Sequence, residues 1–157
     1  MGERAPRGSV LVLVPAGVLV LIVLAAIAVD MGVVYLGQRQ LADTTVAAAN
    51  DAAGAGLSDS AFYRQGSLRL DEQRVAEVVC TTLRAQGPSG IRIVGVEVAV
   101  SGPTVAVRTR ALVGEVFGRA LPGLPAARAV RAEAEADAAA GPKLFRPSLM
   151  NFHSLSC

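Results

Sequence analysis

Few residues in this sequence have side chains that could do chemistry, and they are far apart. The chain has a single histidine, His153, and two cysteines, Cys80 and Cys157. Nucleophilic catalysis by serine or cysteine needs a base beside the nucleophile, and this lone histidine completes no such set. We therefore predict that the chain has no catalytic residues and is not an enzyme.

A row of acidic residues is the other candidate for chemistry. These acids alternate with alanine: Glu133, Glu135 and Asp137. Such a row could bind a cation, but alternation is typical of the solvent-exposed face of a strand, here opposing Arg108 and Arg110. We predict no metal ligands, no cofactor and no small-molecule substrate. A formal net charge of only +2, with scattered arginines, gives no footprint for nucleic acid.

An apolar segment near the start of the sequence sets the compartment. Residues 10–29 carry no charge, and as a helix they would span roughly 30 Å, the thickness of a bilayer's hydrocarbon core. Because Arg4 and Arg7 precede the segment, the positive-inside rule places residues 1–9 in the cytoplasm and the bulk of the chain outside. A cleaved secretory signal is the competing interpretation, with an A-x-A site at residues 26–28. The length of the segment favours a retained transmembrane helix.

This helix is predicted to continue beyond the membrane as a stalk over residues 30–56. Asp30 lies at the membrane edge, where it would either pair with a basic group on a neighbouring subunit or simply reach water. The end of the stalk is rich in small residues, which either let another helix approach closely or merely favour helix formation. Three alanines share one face of the stalk: Ala48, Ala52 and Ala55. We predict that this face is a helix-packing interface with other subunits.

Residues 57–140 are predicted to form a small extracytoplasmic domain of the α+β class. A helix is expected from Asp71 to about Gln86, since glycine and proline follow. Alternating apolar residues predict strands over residues 91–100 and 104–113, joined as a hairpin. The predicted order is therefore membrane helix, stalk, helix and hairpin.

The rest of the chain is less regular. Residues 114–121 are predicted to form a short helix. In residues 129–138 alanine and glutamate favour a helix, but strict alternation favours a third strand, which we adopt. The tail, residues 141–157, lacks periodicity and is predicted to be disordered. We therefore expect Cys80 to be a buried thiol, although a bond to Cys157 could form outside the cytoplasm.

The hairpin also predicts a register. A two-residue turn at Gly102 and Pro103 sets Glu97 opposite Arg108, a pairing of opposite charges. The apolar phase of the first strand changes near Gly95, which indicates a β-bulge.

The first 56 residues resemble the TadE/TadG-like family. The matching segments are RGS at residues 7–9 before the apolar segment, DMGVVY at 30–35, RQLAD at 39–43 and AAANDAA at 47–53. Members of this family are membrane-anchored, pilin-like components of the bacterial tight-adherence (Flp) pilus system. The resemblance implies an accessory, pseudopilin-like subunit of the inner membrane. Its implied partners are other pilin-like subunits and the pilus assembly platform.

One departure from the pattern concerns processing. Pilin-like proteins of this system are typically trimmed after a glycine, with a glutamate five residues into the mature chain. Gly8 and Ser9 offer such a processing site, but the fifth position is Leu13. The departure favours an anchor that is retained, as in the TadG-like members. The alternative function is a membrane-anchored extracytoplasmic binding domain that works without any pilus.

Overall fold

A long N-terminal helix followed by a small antiparallel sheet makes up the architecture. The structure is a computed structural model that describes residues 9–58, 63, 66, 69–87, 90–118, 126–139 and 150–157. The elements are α1 (Ser9–Ala55), α2 (Glu72–Ala85), β1 (Ile91–Ser101), β2 (Thr104–Gly114), β3 (Ala127–Asp137) and β4 (His153–Leu155). The predicted α+β class is confirmed.

The first half of α1 is apolar on all sides. The helix has 47 residues without interruption, so it is about 70 Å long. From Leu13 onward it is long and apolar enough to cross a membrane, and none of its most apolar window is buried inside the molecule. A helix that is hydrophobic all round is normally buried in a protein core or in lipid. Because its own fold leaves this half uncovered, α1 is compatible with a single-pass membrane anchor.

The second half of α1 is the central helix of the domain. It contacts β2, β3 and α2, and one face of it is fully or almost fully buried: Leu41, Thr45, Ala48, Ala49, Ala52 and Ala53. At Gly37 a Cβ atom would lie only 2.7 Å from Cγ2 of Val113. Glycine therefore permits the close approach of helix and sheet at this level.

The sheet has the strand order β3-β2-β1-β4, and all neighbouring strands are antiparallel. Gly102 has a positive φ of 61°, which suits the first position of a two-residue hairpin turn. The predicted register is confirmed, with Glu97 opposite Arg108. A register shift between Ile93 and Gly95 confirms the predicted bulge.

The third strand resolves the ambiguity between helix and strand in the alanine-rich segment. β3 pairs with β2 along its whole length. Alternate side chains point to the core, with Val130, Ala134 and Ala136 buried. Alternation therefore outweighs the helix propensity of alanine here, since each second residue packs against α1.

Helix α2 closes the far end of the core. Its N-cap is Asp71, whose carboxylate accepts the Arg74 N–H, as expected from the sequence. Its buried residues form one face that packs against α1: Val75, Val79, Thr82 and Leu83. Thr82 also donates its hydroxyl to Asp51 Oδ2 of α1 at 3.0 Å, which fixes one helix against the other.

The structure corrects two expectations about the tail. Residues 153–155 form β4, which pairs with β1 through Val96, Glu97 and Val98. Cys80 of α2 and Cys157 form a disulfide, and Arg84 Nε donates to the Cys157 carbonyl oxygen at 3.1 Å. A disordered tail is therefore wrong for residues 150–157, and so is a buried free thiol at Cys80. Residues 140–149 lie outside the described part of the chain.

Candidate functional site

The junction between α1 and the sheet is built around one carboxylate. Asp30 Oδ1 accepts hydrogen bonds from the backbone N–H groups of Val116 at 2.7 Å and Phe117 at 3.0 Å. Its Oδ2 accepts the Gly118 N–H at 3.0 Å. The sequence predicts another subunit or water as the partner of Asp30. The carboxylate instead has its partners in its own chain.

The course of the chain explains why these groups meet. Gly37 of α1 lies beside Val113 near the end of β2, so the segment leaving β2 emerges next to the turn of α1 that holds Asp30. Its N–H groups no longer have a strand partner, and the Asp30 carboxylate lies within reach to accept them. A carboxylate can accept about four hydrogen bonds. The short helix predicted from residue 114 does not begin there, because Gly114 ends β2. Residues 119–121 are not among those described.

An ion pair stands beside this junction. Arg128 Nε of β3 lies 3.1 Å from Oε1 of Glu115, whose side chain is almost fully buried. The hydrogen bond from the Phe117 N–H, with those from Val116 and Gly118 and the charge of Arg128, holds the pKa of Asp30 below its usual value of 3.8. These contacts outweigh the opposing effect of desolvation. Asp30 is therefore ionised at neutral pH, as its acceptor role requires.

The lowered pKa of Asp30 predicts that residues 116–118 separate from α1 in acid. A carboxylate with a lowered pKa in the folded state stabilises that state above the unfolded pKa, near 3.8, and stops doing so as pH falls through the lowered value. We expect the hydrogen-exchange protection factors of the Val116, Phe117 and Gly118 amides to drop in that acidic range.

Asp30→Asn is the matched control, since the amide has nearly the same shape but no charge to lose. Its protection factors should be low at neutral pH and should not fall further in acid. An equal acid-induced fall in both proteins would show that another group controls the segment.

The outer face of the sheet carries a second cluster of charges. Arg108 Nε lies 3.0 Å from Glu133 Oε2, and the Arg108 guanidinium stacks 3.7 Å from the centre of the Phe152 ring. Although Glu97 stands opposite Arg108 in register, its carboxylate binds Arg110 on the diagonal. The four charged side chains, together with Arg131, line an open cavity of about 400 Å³.

The acidic row of β3 is bound to its own chain. Glu133 pairs with Arg108, and Asp137 accepts hydrogen bonds from the Thr104 hydroxyl and the Ala139 N–H. Desolvation, with the negative charges of Asp137 and Glu133, raises the pKa of Glu135. Within the described ranges we find no group of three or more histidine, cysteine or acidic side chains placed to hold a metal ion.

The predicted interface alanines are mostly inside the molecule. Ala48 and Ala52 have no exposed surface and belong to the main core cluster with Val79 of α2 and Val107 of β2. An intersubunit interface through these two residues is therefore wrong, because the chain's own sheet and second helix occupy that face. Only Ala55, the last residue of α1, is exposed.

The candidate processing site falls at the limit of the described chain. Ser9 is the first residue of α1, whereas Gly8 lies outside the described residues. Sequence reasoning missed residues 116–118 as partners of Asp30.

Comparisons with protein-family models, with curated proteins and with solved structures found no match for this chain.

Proposed function

We propose that this chain is a membrane-anchored, pseudopilin-like accessory component of a tight-adherence (Flp) type pilus assembly or secretion system. The proposal starts from the resemblance of the first 56 residues to the TadE/TadG-like family. The observation that carries it furthest is the division of α1 into an uncovered apolar half and a half that packs on the sheet. An uncovered helix of this kind is available to lipid and to the helices of other subunits.

The proposed topology is a single pass through the bacterial inner membrane. Arg4 and Arg7 favour a cytoplasmic N-terminus, with the sheet domain outside. The Cys80–Cys157 disulfide supports an extracytoplasmic domain, because disulfides persist mainly in oxidising compartments.

The proposed mode of action is helix packing rather than catalysis. Since Ala48 and Ala52 are occupied within the fold, contact with other pilin-like subunits and with the assembly platform falls to residues 13–29. Most large apolar side chains of that segment are about half exposed or more. In a bilayer, such contacts depend on van der Waals packing between helices, so the shape of the span matters as well as its apolarity.

One observation favours the alternative of an anchored binding domain. The open cavity on the outer sheet face is lined by Arg108, Arg110 and Arg131, against only two acids, Glu97 and Glu133. A surface with surplus arginine suits an anionic partner outside the membrane. On this alternative, α1 is only a tether.

Replacing the span separates the two functions. In the source bacterium, deletion of the gene should abolish surface pili in electron micrographs, and the natural chain should restore them. A chain whose residues 10–29 are all leucine keeps an apolar helix of the same length but changes its surface. We expect it to reach the membrane fraction and to leave the cells without pili. Full restoration of pili by this chain would contradict the proposal and favour a simple tether.

The same cells provide the controls. Ser101→Cys places a thiol at the exposed end of β1, beside the hairpin turn, and it should react with a membrane-impermeant maleimide from the periplasmic side in both chains. Equal labelling shows that both chains are inserted and oriented alike. Arg110→Gln tests the cavity, and this variant should restore pili as the natural chain does.

A further inference from the structure

The segment at residues 116–118 stands at the level of the membrane surface. Asp30 is the first residue after the apolar span 10–29, so its carboxylate lies where hydrocarbon gives way to headgroups. The hydrogen bonds of 2.7–3.0 Å to Val116, Phe117 and Gly118 hold this segment at the same height. The headgroup layer is about 6 Å thick on each side of the bilayer, so the side chains of this segment fall within it.

The segment presents apolar side chains that the domain does not cover. Val116 is 55% exposed and Phe117 is 43% exposed. Met31, next to Asp30 on α1, is 62% exposed. Large apolar side chains at the base of a domain, adjoining a membrane span, are placed to enter the lipid interface.

The backbone N–H groups of residues 116–118 already have acceptors, as a position near the hydrocarbon requires. Near the hydrocarbon, an N–H group without an acceptor is costly, because little water is available to replace the lost hydrogen bond. Asp30 accepts all three successive N–H groups. The Arg128 side chain beside it is more than half exposed, although its Nε binds Glu115, and arginine suits the phosphate of a lipid headgroup.

We propose that Met31, Val116, Phe117 and Arg128 form a membrane collar that rests on the outer surface of the lipid bilayer. The apolar side chains enter the boundary between headgroups and acyl chains, and Arg128 meets the phosphates. The collar gives the protein a second lipid contact, separate from the span and contributed by the sheet domain. This inference rests on the proposed membrane span. The continuity of the collar with that span makes lipid, rather than a protein, its occupant.

Tryptophan fluorescence tests the collar directly, because the natural chain has no tryptophan. Three full-length variants, Phe117→Trp, Leu19→Trp and Ser101→Trp, are reconstituted in phosphatidylcholine–phosphatidylglycerol vesicles with brominated acyl chains. Leu19 lies in the span, whereas Ser101 is the last residue of β1, beside the turn at the other end of the sheet. That turn stands near the level of Ala55, about 37 Å beyond Asp30 along α1.

We expect bromine to quench Leu19→Trp most strongly and Phe117→Trp about threefold more than Ser101→Trp, given the depth of each position. Acrylamide in the aqueous phase should quench in the reverse order. Quenching of Leu19→Trp without quenching of Phe117→Trp would overturn the collar and leave the span intact. In that case protection of Phe117→Trp from acrylamide would assign the surface to a second copy of the chain. Absence of quenching in Leu19→Trp would overturn the span and the collar together.

Discussion

Replacing Cys157 by serine should lower the free energy of unfolding by roughly 4 kcal/mol, because the disulfide closes a loop with a sequence separation of 77 residues. A crosslink of this length removes much of the conformational freedom of the unfolded chain. β4 should then detach from β1, since its pairing with that strand is only three residues long. Denaturant unfolding of the full chain in detergent measures the first effect, and hydrogen exchange in residues 153–155 measures the second.

The other ways of removing the Cys80–Cys157 disulfide serve as controls, because each removes the same bond. Cys80→Ser and the double variant should lose the same stability as Cys157→Ser, and a reductant should affect only the natural chain. If the natural chain unfolds at the same denaturant concentration with and without reductant, the disulfide contributes nothing and this prediction is wrong.

Ala48→Leu should destabilise the fold by about 3 kcal/mol, at the upper end of what overpacking a well-filled core costs. Ala48 has no exposed surface and lies in the main core cluster. Three more carbon atoms at this position must push α1 away from the sheet. Thermal or denaturant unfolding in detergent gives the difference in free energy.

Ala55→Leu is the matched control, because it makes the same exchange on the same helix at an exposed position. Helix propensities of alanine and leucine are similar, so this variant should stay within about 0.5 kcal/mol of the natural chain. Equal stability of all three proteins would mean that Ala48 does not pack in the core. An interface with another subunit would then be the better account of the alanine face.

Local patterns predicted the sheet well. The Gly102-Pro103 turn determined the register of the hairpin, because a two-residue turn leaves one way to pair the flanking strands. The change of apolar phase located the bulge at Gly95 for the same reason, since a bulge reverses which residues face the core. In β3 the alternation was informative because one face is buried and the other is solvated.

The misses share one physical cause, which is contact between residues far apart in the sequence. Helical spacing placed Ala48 and Ala52 on one face, but it contains no information about what covers that face. The partners of Asp30 lie 86–88 residues further along the chain. A strand as short as β4 has too few residues to show a period. The position of β4 beside β1 depends on tertiary contacts, including the disulfide between Cys157 and Cys80.

Because α1 is one continuous helix, its apolar half and the domain around its second half are directly connected. The helix that carries the candidate membrane span is also the helix at the centre of the core, and it runs from Ser9 to Ala55 without a break. Any tilt of the span must therefore turn the whole domain. A typical tilt of about 20° would displace the far end of the domain sideways by about 13 Å. In the proposed topology, a rearrangement among helices in the membrane would therefore displace the far end of the domain, and the displacement grows with distance along α1.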